Sequence, residues 1–284
     1  MNLITWNIQW GRGSDGVVDL RRIVNHARAL ADFDVLCLQE VADNFPALKG
    51  NNDANQFAAL AALLPGYTAI EGVAVDLPGQ QGRRRRFGNM ILSRLPVRQV
   101  LRHLLPAPPD PSVKSMRRMA LEAVLETPFG LTRVVTTHLE YYSAPQRAAQ
   151  VEALRGLHAE ACAEARAFVE TDSSEGTFRS LPRPASAIYT ADFNYQPDDP
   201  LHARMQQAHA DGSPALHDAW SSRWPGVPHP LTLGLYDREQ WPSAMTTDFI
   251  YVTDDLAPRI ADVRVDGLTQ ASDHQPVLIT LQQD

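Results

Sequence analysis

Lone polar side chains stand at the ends of apolar, strand-like runs in this chain, and their types suit hydrolysis of an anionic ester. Asn7 lies in Thr5-Trp6-Asn7-Ile8, Glu40 closes Leu38-Gln39-Glu40, and His138 closes Val135-Thr136-Thr137-His138. Further along come Asp192 and Asn194 in Ala191-Asp192-Phe193-Asn194, Asp248 in Thr247-Asp248-Phe249-Ile250, and Asp273-His274 after Ser272. Taken singly these have ordinary explanations: a sheet or turn amide, a solvated or capping acid, an Asx turn. Their recurrence at strand ends, where α/β folds hold catalytic groups, singles them out.

Hydrolysis of a phosphoester needs a hard cation on the phosphoryl oxygens, an oriented water and neutralisation of the charge that builds up. Magnesium takes oxygen ligands and keeps several waters, so one or two carboxylates and an amide suffice. Glu40 and Asn7 meet that demand. Asp192 suits activation of the water. Asn194, two residues on and expected on the same strand face, suits a hydrogen bond to the phosphate or the water. Asp248 with His274 makes a carboxylate–imidazole pair, in which the acid fixes the tautomer of the ring.

The elements that must position these groups alternate at first. Leu3–Trp10 reads as a strand with Trp6, Ile8 and Trp10 on one face and Thr5, Asn7 and Gln9 on the other. Val17–Ala31 has helical spacing, Asp34–Gln39 reads as a strand buried on both faces, and Gln56–Leu64 is helical until Pro65-Gly66. The middle is β-rich, with Met90–Ser93, Val97–Leu105, Met119–Glu126 and Leu131–His138 separated by turn signals. A long helix follows over Pro145–Phe168, and the chain closes on Ala187–Thr190, Thr247–Val252, Ile260–Val265 and Pro276–Leu281. Thr171–Pro184 and the Trp/Pro-rich Ser221–Ala244 read as long loops, the second of the kind that often carries function. With no repeat and no linker, residues 1–284 read as one domain.

Composition narrows the class. The chain has 284 residues, 44% hydrophobic, and a formal net charge of −7. That acidity argues against a surface that tracks duplex nucleic acid through its phosphates. Basic residues cluster locally, in Arg83, Arg84, Arg85 and Arg86 and in Arg117-Arg118, where they are candidates for an anionic-substrate rim. Trp224 and Trp241 are the matching candidates from the aromatic loop. The two cysteines, Cys37 and Cys162, have neither disulfide nor metal spacing. No run is long and apolar enough for a transmembrane helix, so stable membrane insertion is not expected. The segment Met1–Trp6 lacks a secretory signal's basic start and cleavage site, so a cytoplasmic location is expected.

The ordered set Trp-Asn-Ile-Gln, Leu-Gln-Glu, Gly88-Asn89-Met90-Ile91-Leu92-Ser93-Arg94, Thr-His-Leu, Ala-Asp-Phe-Asn, Thr-Asp-Phe-Ile and Ser-Asp-His resembles the motifs of the endonuclease/exonuclease/phosphatase superfamily. The resemblance runs from residue 3 to about residue 278. It implies an α/β (α+β) four-layer sandwich, two largely antiparallel sheets packed face to face with helices outside. It further implies a divalent cation, Mg²⁺ or Mn²⁺, at Glu40 and Asn7 with Asp273 at or near it, and water activated by Asp192 beside Asn194. His138 and His274, the latter oriented by Asp248, would contact the phosphate. The expected partner is a phosphate-ester substrate: nucleic acid, lipid head group or small molecule. Two other readings are a nuclease of repair type, marked by steeply salt-dependent DNA binding, and a binding module with the same fold and no chemistry.

Overall fold

The computed structural model describes residues 1–169 and 176–283. The chain runs β1 (Asn2–Asn7), α1 (Leu20–Leu30), β2 (Val35–Asp43), α2 (Gln56–Leu63), β3 (Thr68–Pro78) and β4 (Arg84–Ser93). It continues through β5 (Val97–Leu104), β6 (Met119–Thr127), β7 (Gly130–His138), α3 (Ala144–Ala167), β8 (Ala187–Asp192) and α4 (Pro200–Gln206). Then come β9 (Leu216–Asp218), α5 (Ala219–Arg223), β10 (Asp248–Thr253), β11 (Ile260–Val265) and β12 (Val277–Leu281). The strands form two six-stranded sheets, ordered β11-β12-β1-β2-β4-β3 and β5-β6-β7-β8-β10-β9. Neighbours are antiparallel except for one parallel pair in each sheet, β1–β2 and β7–β8.

Alternation along each strand builds the layers. In β1, Leu3 packs toward the other sheet, in the core shared with Cys37, Ile91, Leu121, Val134, Ile188 and Ile250. Ile4 and Trp6 point the other way, onto Ile23, Val24 and Ala27 of α1 and Phe57 and Leu60 of α2. The second sheet is covered likewise, with Val151 and Leu154 of α3 and Met205 of α4 packed against Val135, Tyr189 and Tyr251. The result is helices, sheet, sheet, helices. Side-chain caps start the helices: Asp19 accepts from Arg21 and Arg22 backbone N–H, Asn55 caps α2, and Ser143 caps α3 with a proline in its first turn.

The structure departs from the sequence pattern where local chemistry overrides it. The helix expected from Val17 begins at Leu20, because Asp19 is its cap. Trp10 lies beyond β1 in a tight turn with φ +45. The arginine run enters β4 and pairs with β3, a strand that charged and glycine positions hid from the periodicity. The Ser221–Ala244 stretch opens inside α5 and is pinned by bridges from Leu233 to Met245 and His274. Within Thr171–Pro184, residues 171–175 lie outside the described residues. Both cysteines are free and buried, and among the described residues no helix is long and apolar enough to cross a membrane.

A buried ion-pair network ties β6 to the end of that loop. Arg183 donates to both Glu122 oxygens, at 2.8 and 2.9 Å, and His103 Nε2 lies 3.1 Å from Glu122 Oε2. Burial opposes the charge of Glu122, but the hydrogen bonds from Arg183 and His103 prevail and hold its carboxyl down at about 2. A depressed acid stabilises the fold above its unfolded pKa and loses that contribution as pH falls through the folded one. Stability should therefore drop by about 3 kcal/mol between pH 4.5 and pH 2 from this group alone. Glu122→Gln should flatten that part of the pH dependence in urea unfolding. At pH 7 the variant should also lose stability, by roughly 3 kcal/mol at most, because buried Arg183 then keeps only the half-exposed Glu160 and Glu164 as charged partners. An unchanged acid limb would remove Glu122 from this role.

Candidate active site

Strand polarity brings the polar strand ends together. The parallel pairs β1–β2 and β7–β8 finish at the same end of their sheets, at Asn7, Glu40, His138 and Asp192. β10 runs antiparallel to β8, so Asp248 at its start lies opposite Asp192. β12 runs antiparallel to β1, which puts the preceding Asp273-His274 at that end as well.

Glu40 owes its aim to a bulge. Leu38 pairs with Met90 and Val41 with Gly88, so Gln39 and Glu40 together oppose Asn89. Glu40 sits at φ +61, a left-handed conformation that costs a non-glycine residue about 1–3 kcal/mol. Gly88 is required opposite: a Cβ there would lie 2.0 Å from the Gly72 carbonyl oxygen. Asn89 reaches across the sandwich and donates to the Met119 carbonyl at 3.1 Å.

Asp192 Oδ2 is the meeting point. It accepts from Asn7 Nδ2 at 3.0 Å and lies 3.3 Å from His138 Nε2 and 3.6 Å from His274 Nε2. Asn7 Nδ2 also donates to Glu40 Oε1 at 3.2 Å, while its oxygen accepts from the Gln9 backbone N–H. Asn7 thus bridges the two acids through its nitrogen. His274 Nδ1 donates to Asp248 Oδ2 at 2.9 Å, which also receives the Thr232 and Thr247 hydroxyls at 2.7 and 3.1 Å. Asp248 Oδ1 is buried with no hydrogen-bond partner. Asn194 does not share a strand face with Asp192, because β8 ends at Asp192. It takes a left-handed φ of +54, its N–H donates to Asp192 Oδ1, and its amide donates to the Leu139 carbonyl at 2.9 Å. Asp273 Oδ2 accepts from Gln9 Nε2 at 2.8 Å and Trp241 Nε1 at 2.9 Å.

Burial and neighbouring charge separate the protonation states. Burial, then Asp273, push Glu40 up to about 7. Burial raises Asp192 against the pull of His274. Burial also opposes the charge on His274, but Asp248 and Asp192 prevail and keep it protonated well above the usual range. His138 is held well below that range by burial, then by Arg118 and His274, and stays neutral. The site therefore carries one imidazolium, one neutral imidazole and crowded acids, the pattern of perturbed groups typical of active sites. Glu40 and Asp273 offer hard oxygen donors, and a divalent cation there would relieve their repulsion of each other and of Asp192, so the residues present fit Mg²⁺ or Mn²⁺.

Of the remaining sequence candidates, Arg118 is at the site. It shares a recess with Glu40, Asn89 and His138 and donates to the buried Glu140 at 3.2 Å. Trp241 joins through Asp273 and packs edge-on against Tyr141, ring centroids 5.7 Å apart. Trp224 is not brought there: its indole donates to the Val263 carbonyl beside α5, under the Arg223 guanidinium. The arginine run is largely spent on acids, Arg83 on Asp53, Arg84 on Asp76, and Arg86 on Asp43 and Glu71. Sequence reasoning missed Gln9, Thr232 and Ser272, whose hydroxyl donates to the Asn7 carbonyl at 2.8 Å. Gln9 follows Asn7 by two and Ser272 precedes Asp273, so proximity was a signal for those. Nothing in the sequence marks Thr232, which is sixteen residues from the acid it holds.

The fold is thus a two-sheet sandwich with an imidazole–carboxylate centre at the common end of both sheets. Residues 4–274 match the Endonuclease/Exonuclease/phosphatase family, and the chain belongs to it. Among solved structures, an endonuclease/exonuclease/phosphatase from Bacteroides vulgatus is similar at 19% identity and TM-score 0.68, over 100% of this chain and 98% of that one. One from Beutenbergia cavernae is 23% identical with TM-score 0.65, over 98% of this chain and 70% of the other. A mannosyl-6-phosphatase from Bacteroides thetaiotaomicron is 16% identical with TM-score 0.62, over the full length of both. No curated protein matches significantly.

Proposed function

We propose that this protein is a divalent-metal-dependent phosphoesterase that hydrolyses a phosphodiester or phosphomonoester with water activated at Asp192. The observation that carries this is the convergence of Asn7, His138 and His274 on one oxygen of a buried acid. Glu40 and Asp273 would hold Mg²⁺ or Mn²⁺, with Asn7 bridging Glu40 to Asp192; the ion supplies charge neutralisation on the phosphoryl oxygens. Asp192 takes the proton of the attacking water as its oxygen bonds to phosphorus and the ester oxygen departs. His274, kept protonated by Asp248, and neutral His138 donate hydrogen bonds to the phosphoryl oxygens. Arg118 adds positive potential, and Asn194 holds the end of the Asp192 turn.

The test is hydrolysis of nucleic-acid, phospholipid, sugar-phosphate and small aryl phosphodiester substrates with Mg²⁺ or Mn²⁺ and with excess chelator. Turnover should vanish in chelator and return with metal, and Glu40→Ala should raise the metal concentration needed. Full activity in excess chelator would overturn the metal assignment. A nuclease that tracks duplex DNA is disfavoured by the net charge of −7 and by an arginine run already paired to acids. Binding should therefore change with salt as for one to three phosphate contacts, not the six to ten that cost roughly 10³–10⁵ in affinity between 50 and 200 mM.

The Trp241 indole holds Asp273 and faces Tyr141. Trp241→Ala should lower kcat/KM about tenfold or more, the scale of a lost hydrogen bond to a charged group. Trp224→Ala should leave kcat/KM unchanged. Equal effects of the two substitutions would contradict this assignment.

A further inference from the structure

A second constellation of ligating side chains lies behind the active site, between α4, α5 and β10, and the proposed hydrolysis uses none of it. His202, Asp218 and His229 each bring one ligand atom to within 4.8 Å of the others. Asp218 Oδ2 lies 2.5 Å from His229 Nε2 and 3.8 Å from His202 Nε2. His202 is 8% exposed, and its Nε2 is buried with no hydrogen-bond partner. Buried polar atoms are rarely left so, and each exception asks for an explanation. The surroundings are aromatic: the Phe249 ring lies 4.9 Å from His202 and 5.5 Å from His229, and Tyr251 lies 5.7 Å from His202. An unpaired imidazole nitrogen therefore points toward a carboxylate and a second imidazole inside an apolar wall.

We propose that His202, Asp218 and His229 form a second metal site, separate from the phosphoester centre, that takes Zn²⁺ or a similar transition-metal ion. Two imidazoles and one carboxylate are a nitrogen-rich donor set, suited to zinc and poorly suited to magnesium. Bonds of about 2.0–2.1 Å in a tetrahedron space ligand atoms roughly 3.4 Å apart. The 3.8 Å separation is near that value, and the 2.5 Å contact opens when the ion replaces the proton that His229 shares with Asp218. The ring of His202 must also change tautomer. Its Nδ1 now faces Gln206 Nε2 at 3.3 Å, so the ring proton sits on Nε2. Loading moves that proton to Nδ1, and Gln206 can offer its oxygen there only by giving up the Asp218 N–H it now accepts, so a carboxylate at this position would serve a metal-bound ring better.

The position gives the ion a structural task. Asp218 caps α5, His202 belongs to α4, and His229 leads within three residues to Thr232, whose hydroxyl holds Asp248. A bound ion would tie two helices to the loop that fixes the Asp248–His274 pair.

The experiment titrates the full chain carrying Glu40→Gln, which weakens the phosphoester centre, with Co²⁺ and Zn²⁺ in millimolar Mg²⁺. One equivalent of Co²⁺ should bind and give the visible absorption of a tetrahedral ion, and Zn²⁺ should displace it and raise Tm. His202→Gln and His229→Gln should each abolish the signal. Gln206→Glu, which keeps an acceptor for the Asp218 N–H and supplies a carboxylate to His202 Nδ1, should tighten binding by about tenfold or more. Absence of any Co²⁺ or Zn²⁺ binding under these conditions would overturn the proposal. So would binding that neither histidine substitution alters. If the histidine variants fail to fold, unchanged affinity in Gln206→Glu is the overturning result. Hydrolysis is not the readout, so the outcome is independent of the phosphoesterase assignment.

Discussion

Asp192→Asn should lower kcat by about 10²–10⁴ with little change in fold or in Tm, the scale expected when a positioned general base is removed. The substitution is isosteric, and Asn can keep the contact that Asp192 Oδ1 makes with the Asn194 N–H. What it removes is the proton acceptor at Oδ2, where Asn7, His138 and His274 meet. Burial raises the basicity of Asp192, which favours its taking a proton from water near neutral pH. The loss should therefore fall on kcat more than on KM. Steady-state kinetics on an aryl phosphodiester, alongside circular dichroism and thermal unfolding, measure this directly. A folded Asp192→Asn protein with near-normal kcat would move the residue from chemistry to structure.

Asp248→Ala and His274→Ala should each cost at least 10² in kcat, and the double variant should cost little more than the worse single one. The two act as one unit: the acid keeps the imidazole charged and in one orientation, so removing either removes the same positive donor. Independent residues would instead multiply their effects. Thr232→Val should produce a weaker version of the same loss, because the Thr232 hydroxyl is one of the groups holding Asp248 Oδ2. Fully multiplicative losses in the Asp248–His274 cycle would dissolve the pair. Each variant must first be shown folded, since all three residues are buried.

The types of the site residues and much of the layer pattern were legible in the chain before any fold was known. Polar residues closing apolar runs were visible at Asn7, Glu40, His138, Asp192, Asp248 and His274 because strand ends are short-range features of the chain. The inward and outward faces of β1 were readable for the same reason: side chains alternate with period two, and Trp6 and Ile8 do face the helices. Asn194 marks the limit, since the pleat that would have placed it ends at Asp192 and an Asx turn places it instead.

Which of the candidates meet depends on long-range packing. Trp224 and Trp241 belong to one aromatic stretch, yet one donates to Asp273 and the other to Val263 on the edge strand. Four adjacent arginines read as a rim for an anion, but the pairing of β3 with β4 sets Asp76 and Glu71 alongside them, while Asp43 comes from β2 and Asp53 from the segment that follows it. Thr232 and the His202–Asp218–His229 group carry no local signature at all. Their partners are ten or more residues away, and such contacts depend on strand order and loop path. Local propensity does not encode those; they follow from the packing of two sheets against each other.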